Sequence, residues 1–217
     1  MAKPKTMPQK YMVSIYDDPA RDGSLRITFV PKISSRLQAS GPPSEFIVSV
    51  RWIGNELAFE WKKPHPLDEE VRRELEDIAR NRMTARHEWL ERLNQLMSKV
   101  KGWAEELHWA TKVVEKKMED SEVGNYKAPG LLLQMETTRL FLEPIARSAP
   151  GTEGVVDFCL MPSYDDVASL YFYNNRWNVH YLFEGGPTVR NIIETPAKPF
   201  TKATIRRVFD EMKTHAG

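Results

Sequence analysis

With 31 lysines and arginines against 30 aspartates and glutamates, the 217-residue chain has a net charge of +1 and no overall electrostatic pull towards phosphates or an anionic membrane. Its 41% hydrophobic and 28% charged residues are those of an ordinary soluble globular protein, long enough for one domain or two small ones. The single cysteine, Cys159, excludes an internal disulfide and a multi-cysteine zinc site, and it predicts a reducing, cytoplasmic setting.

Residues 1–10, MAKPKTMPQK, hold lysines and prolines without an apolar core, which predicts a mobile tail and neither a signal peptide nor a membrane span. Residues 11–63 then read as a β region. YMVSIY and SLRITFVPKI are rich in β-branched and aromatic residues, and ISSRLQASGPPSE, from Ile33 to Glu45, is a loop by composition. FIVSVRWIGNELAFEW predicts a hairpin turning at Gly54-Asn55. Phe46, Val48, Val50 and Trp52 alternate on one arm, and Leu57, Phe59 and Trp61 on the other.

Residues 64–124 change period. Pro64 and Pro66 end the strand, and Asp68, Glu69 and Glu70 place negative charge where a helix N-terminus favours it. The pattern predicts one helix from Asp68 to Asp120, with Gly124 as its C-terminal stop. On a wheel, Val71, Leu75, Ile78, Ala85, Trp89, Leu93, Leu96, Val100, Trp103, Leu107, Ala110, Val114 and Met118 fall within a third of the circumference. Arg82 intrudes on this arc, and Gly102 costs about 1 kcal/mol relative to alanine. A break near ARNRMTAR, Ala79 to Arg86, with Thr84 capping a second helix, is the alternative to one continuous helix.

Such a helix would be about 80 Å long, against a diameter of about 45 Å for a compact globule of this size. Part of the stripe is therefore expected to meet a partner: the same helix of a second copy in a coiled-coil-like dimer, or another protein. The predicted partner-binding residues are Trp89, Leu93, Leu96, Val100, Trp103 and Leu107, joined by Trp109 and Val113, which lie off the arc. A helix folded back on its own sheet would dispense with the partner.

Residues 125–217 return to β. LLLQMETTRLFLEPI, VVDFCLMP, VASLYFY and WNVHYLF are successive strand candidates. The last two join across Asn174-Asn175, a pair that tolerates a type I′ turn, and Trp177, Val179, Tyr181 and Phe183 share one face. Thr201 caps a closing helix that shows Ile205, Val208, Phe209 and Met212 on one side.

Chemistry-bearing patterns are sparse. HEWLE, from His87 to Glu91, has Glu91 where a zinc-protease helix has its second histidine, so His87 and Glu88 read as polar-face residues. Glu60 and Lys62 have the E-x-K spacing of metal-dependent nucleases, but the preceding hairpin arm has no aspartate to complete a metal site. Asp157, Asp165 and Asp166 with His180 offer carboxylates beside an imidazole, although His180 alternates with Arg176 and Asn178 on a polar strand face. Cys159, between Phe158 and Leu160, is too apolar in setting for a nucleophile. Arg72, Arg73, Arg80, Arg82 and Arg86 scatter around the wheel. The closing helix makes the better basic patch, with Lys202, Arg206, Arg207 and Lys213 supported by Lys198.

The sequence thus predicts an α+β protein: antiparallel β regions flank one long amphipathic helix, and a short C-terminal helix closes the chain. No catalytic residue, metal ligand, cofactor or membrane association is expected. The leading functional expectation is a non-catalytic adaptor or assembly subunit acting through its long helix, by self-association or with a protein partner. A nucleic-acid-associated accessory subunit and a metal-dependent hydrolase are the alternatives.

Overall fold

The computed structural model describes residues 11–17, 24–31, 46–54, 56–61, 69–163, 165–181 and 195–215. The tail, the 33–45 loop, Pro64, Pro66, Asp68, Lys62 and Phe183 fall outside them. The class is α+β: two sheets of antiparallel strands, one long helix and a short C-terminal one. The chain divides into two compact units, Met1–Arg86 with Glu119–Tyr126, and His87–Met118 with Lys127–Gly217.

In the first unit, β1 (Tyr11–Asp17), β2 (Leu25–Pro31), β3 (Phe46–Ile53) and β4 (Glu56–Trp61) pair in the order β1-β2-β3-β4. The β3–β4 hairpin has the expected register, with Val48, Val50 and Trp52 opposite Trp61, Phe59 and Leu57. Gly54 takes φ of 60°, as a two-residue hairpin turn requires. One face of the sheet buries Ile15, Ile27, Phe29, Val48 and Val50 against Leu75, Ala79 and Met83 from the first half of α1 (Glu69–Glu106). Arg82, the intruder on the apolar arc, donates to the carbonyl of Glu122 in this unit, so its charge end leaves the core through a hydrogen bond.

The second unit holds a seven-stranded sheet, ordered β11-β10-β9-β8-β7-β6-β5. Its strands are β5 (Ala110–Asp120), β6 (Gly124–Met135), β7 (Thr138–Ala146), β8 (Val155–Met161), β9 (Asp165–Tyr173), β10 (Arg176–Tyr181) and β11 (Lys198–Pro199). The β5–β6 tip, Glu119–Tyr126, belongs to the first unit. Asn174 and Asn175 adopt φ of 52° and 58°, the predicted type I′ turn. α2 (Lys202–His215) begins where expected, Thr204 N–H donating to Thr201 Oγ1, and buries Ile205, Val208, Phe209 and Met212. The second half of α1 and α2 cover the same sheet face. Trp89 stands 6.4 Å from Trp177, Phe209 stands 5.9 Å from Phe158, and the strand registers put Trp177 and Phe158 on one side.

The long helix is shorter than expected. It ends at Glu106, and Ala110–Asp120 is strand β5. His108 takes φ of 63°, Trp109 N–H donates to Ala104 O at 2.9 Å and His108 N–H to Glu105 O at 3.0 Å. This pair of bonds is a Schellman stop, formed without glycine. Beyond it, Thr111, Val113 and Val114 favour a strand, because β-branching restricts χ1 on a helix and suits a pleated surface. Gly124, with φ of 77°, serves the β5–β6 turn and not a helix end; an added Cβ would meet Ile15 O at 2.5 Å.

Candidate binding cleft

The residues expected to face a partner are largely covered by the chain itself. Trp89, Leu93, Leu96 and Val100 are buried. A Cβ at Gly154 would reach the Trp89 ring at 2.6 Å, so the glycine is what lets the indole lie against the sheet. Trp103 is half-buried with its ring 5.0 Å from Phe200, and Leu107 is half-buried. Trp109, expected off the arc and towards a partner, is buried 5.1 Å from Phe209. The physical reason is the Schellman turn, which takes Trp109 out of the helical phase. Val113, at 52% exposure, remains on the surface.

The α2 patch is internally neutralised. Lys202 pairs with Glu106, Arg206 lies 3.7 Å from Asp210, Arg207 3.9 Å from Glu211, and Lys213 3.8 Å from Glu136. Each cation of the expected nucleic-acid site thus has a carboxylate of the same chain beside it, which weakens its field for phosphates. The nuclease-like spacing fares no better: Glu60 sits opposite Ser49, which sits opposite Arg26, and no second carboxylate stands in that cross-strand row.

Asp157, Ser169 and His180 do come together, as neighbours across β8, β9 and β10 on the sheet face opposite the helices. All three are buried. The Thr195 carbonyl can only accept, so His180 Nδ1, 2.9 Å away, carries the hydrogen; Nε2 then accepts from the Tyr173 hydroxyl at 3.2 Å. Burial lowers the imidazole pKa below its usual value, opposed by the bond to Thr195, and keeps it neutral. The group is a satisfied structural histidine. Among the described residues no cluster of three or more His, Cys, Asp or Glu side chains is arranged to hold a metal.

What the structure adds is a cleft of about 820 Å³ in the second unit. One wall is α1, through Glu88, Glu91, Arg92, Gln95 and Lys99, whose 3-4 spacing forms a flank adjoining the buried stripe. The others are the β9–β10 turn, with Asn175 and Arg176, and the segment from Ala197 to Phe200; Leu96, Phe172 and Trp177 lie beneath. Arg92 is committed locally. Its guanidinium lies 3.9 Å from the Phe172 ring centroid and donates to Glu153 O at 2.8 Å. Burial lowers its pKa, countered by Glu153 and Glu88, and it stays charged.

Lys99, Arg176, Lys198 and Glu91 line the cleft without an ion pair to any described residue, while Glu88 acts on Arg92 one turn along the helix. Lys198, expected to reinforce the α2 patch, lines this cleft. The flank was readable as polar helix surface, but its facing wall comes from a turn and a segment some eighty to a hundred residues away.

No family model, curated protein or solved structure matches the chain. No described helix is long and apolar enough to cross a membrane.

Proposed function

We propose that the protein is a non-catalytic binding module of the adaptor type, whose recognition site is the cleft of the second unit and whose ligand is an extended segment of a partner protein. The observation that supports this is a cavity with aromatic side chains beneath, on whose walls Lys99, Arg176, Lys198 and Glu91 have no ion pair among the described residues, whereas the α2 cations have carboxylates beside them. The volume suits a peptide-sized occupant. Compared with the coiled-coil dimer expected from the helical stripe, the cleft uses the same helix by a different flank. The stripe's Trp and Leu side chains are occupied within the unit, so a dimer through them would first have to expose them, at about 1.5 to 3 kcal/mol each.

Selection of random peptides displayed on phage tests the reading. Ligands are expected whose affinity falls by about tenfold or more on Lys99→Glu with Lys198→Glu, since truncating or reversing charge partners costs on the order of 2 kcal/mol. The same ligands should be indifferent to Arg206→Glu with Arg207→Glu on α2. Ligands that ignore the first pair of substitutions would overturn the assignment. In light scattering the chain alone should have the mass of one copy, and a stable dimer would favour the stripe as the interface.

A further inference from the structure

The two walls that face α1 across the cleft are separate in sequence: the β9–β10 turn with Asn175 and Arg176, and the segment from Ala197 to Phe200. Both lead back within two residues to the same side chain. Tyr173, two residues before Asn175, donates its hydroxyl to His180 Nε2 at 3.2 Å. Thr195, two residues before Ala197, accepts from His180 Nδ1 through its carbonyl at 2.9 Å. His180 is buried on the sheet face opposite the helices, and it holds both walls from behind without lining the cavity. Asn178, two residues earlier on the same face of β10, braces the turn as well: its amide nitrogen donates to Arg176 O at 3.1 Å and to Tyr173 O at 3.4 Å. The other anchors of the second wall are slight. Lys198 and Pro199 make a strand of two residues, and because Pro199 has no N–H, the pair that exchanges hydrogen bonds in that ladder is Val179 with Lys198. Phe200 then rests on Trp103, with ring centroids 5.0 Å apart.

We propose that His180 is a positioning residue of the cleft: one imidazole, using both ring nitrogens, ties the two strand-side walls to each other, so that a partner segment meets walls already in place. This rests on the reading of the cleft as a binding site. A wall held in advance spares the complex the cost of ordering it on binding. A neutral imidazole suits the task because it offers one donor and one acceptor at a fixed angle, matched here by a carbonyl on one side and a hydroxyl on the other. A histidine that served the sheet alone would have no need of partners that each stand two residues before a cleft wall.

The two ring nitrogens can be removed one at a time in the intact chain. Asparagine places an amide nitrogen close to where Nδ1 stands and keeps the donor to Thr195; glutamine reaches the place of Nε2 and keeps an acceptor for Tyr173. In His180→Gln, amide hydrogen exchange read by NMR should speed up about fivefold at Lys198, the scale of one neutral hydrogen bond, and stay within about twofold at Arg176. In His180→Asn the amide of Arg176, which closes the turn opposite Tyr173, should respond and that of Lys198 should not. Both variants should weaken binding of a peptide selected on the wild-type protein from the displayed library by about threefold or more, although every charge lining the cleft is unchanged. Ile205→Val, buried in α2 and not part of the cleft lining, is a control of similar cost to stability and should leave both amides and the affinity as they are. Suppose instead that the His180 variants speed exchange alike across the second unit, including Leu142 and Phe158 in the middle of the sheet, leave both walls unchanged, or alter the walls without altering the affinity. The proposal is then overturned and the cleft reading stands. If the library yields no peptide that binds the cleft, the binding-module reading itself falls and takes the positioning role with it.

Discussion

The two halves of α1 bury the same kind of stripe and differ in what lies beside it. In the first half the arginines are matched within their own unit. Arg72 lies 3.2 Å from Glu76 and Arg73 3.4 Å from Glu69; Arg80 stacks over Phe59, Arg86 over Tyr126, and Arg82 donates to Glu122 O. In the second half Lys101 faces Glu105, Arg92 is held and Glu88 acts on it, yet Glu91 and Lys99 are left without ion pairs among the described residues. An unpaired exposed charge costs little, so by itself it says nothing. Beside a cavity with Phe172 and Trp177 beneath, the same charges are the ones on which the proposed recognition rests. The apolar stripe decides where the helix packs; the flank beside it lines the cleft.

The largest test of that contrast is Trp89→Ala, which should cost about 3 to 5 kcal/mol by opening a cavity in the second unit, measured by denaturant unfolding. Leu75→Ala should cost about 2 to 5 kcal/mol in the first. If either change proved silent, its half of the stripe would not be the packed surface described above. Next comes His180→Phe, which leaves the Tyr173 hydroxyl and the Thr195 carbonyl without their partner and should cost about 1 to 3 kcal/mol near neutral pH. It also carries a pH signature. Because the folded pKa is lowered, the unfolded chain binds the proton more readily, so wild-type stability should decline as pH falls below about 6.5. The variant should lack that part of the decline, and identical pH profiles for the two proteins would refute the buried neutral imidazole.

Smaller effects sharpen the comparison further. Gly102→Ala should stabilise by about 1 kcal/mol, since an added Cβ meets nothing within 4 Å and alanine is the better helix former; a loss of stability in thermal melts would mean that the helix bends there. Smallest of all should be the stability change on Lys99→Glu with Lys198→Glu, within about 0.5 kcal/mol, as befits exposed residues without an ion pair among the described residues. A large destabilisation there would show that these lysines support the fold, and their effect on binding could not then be attributed to recognition.

Local chemistry made much of the fold legible. Alternation in Phe46–Trp61, the paired asparagines before Arg176, and Thr201 ahead of an apolar 3-4 stripe each act over a few residues, and each produced its hairpin or helix. The helix C-terminus was not legible, because its stop is a left-handed His108 and not a glycine, and because Val114 and Met118 happen to keep the helical phase. Nor was the cover of the stripe. Trp89 and Trp109 announce burial in the sequence, but whether Trp177 and Phe209 or a second molecule buries them depends on contacts across a hundred residues. The sequence by itself determined the α+β class, most strand positions and the apolar face of α1, since backbone preference and periodicity are local. Only the tertiary structure decided that the face is filled from within and that Lys99, Lys198, Glu88 and Glu91 border one cavity, since a cleft is made by the walls that long-range packing brings together.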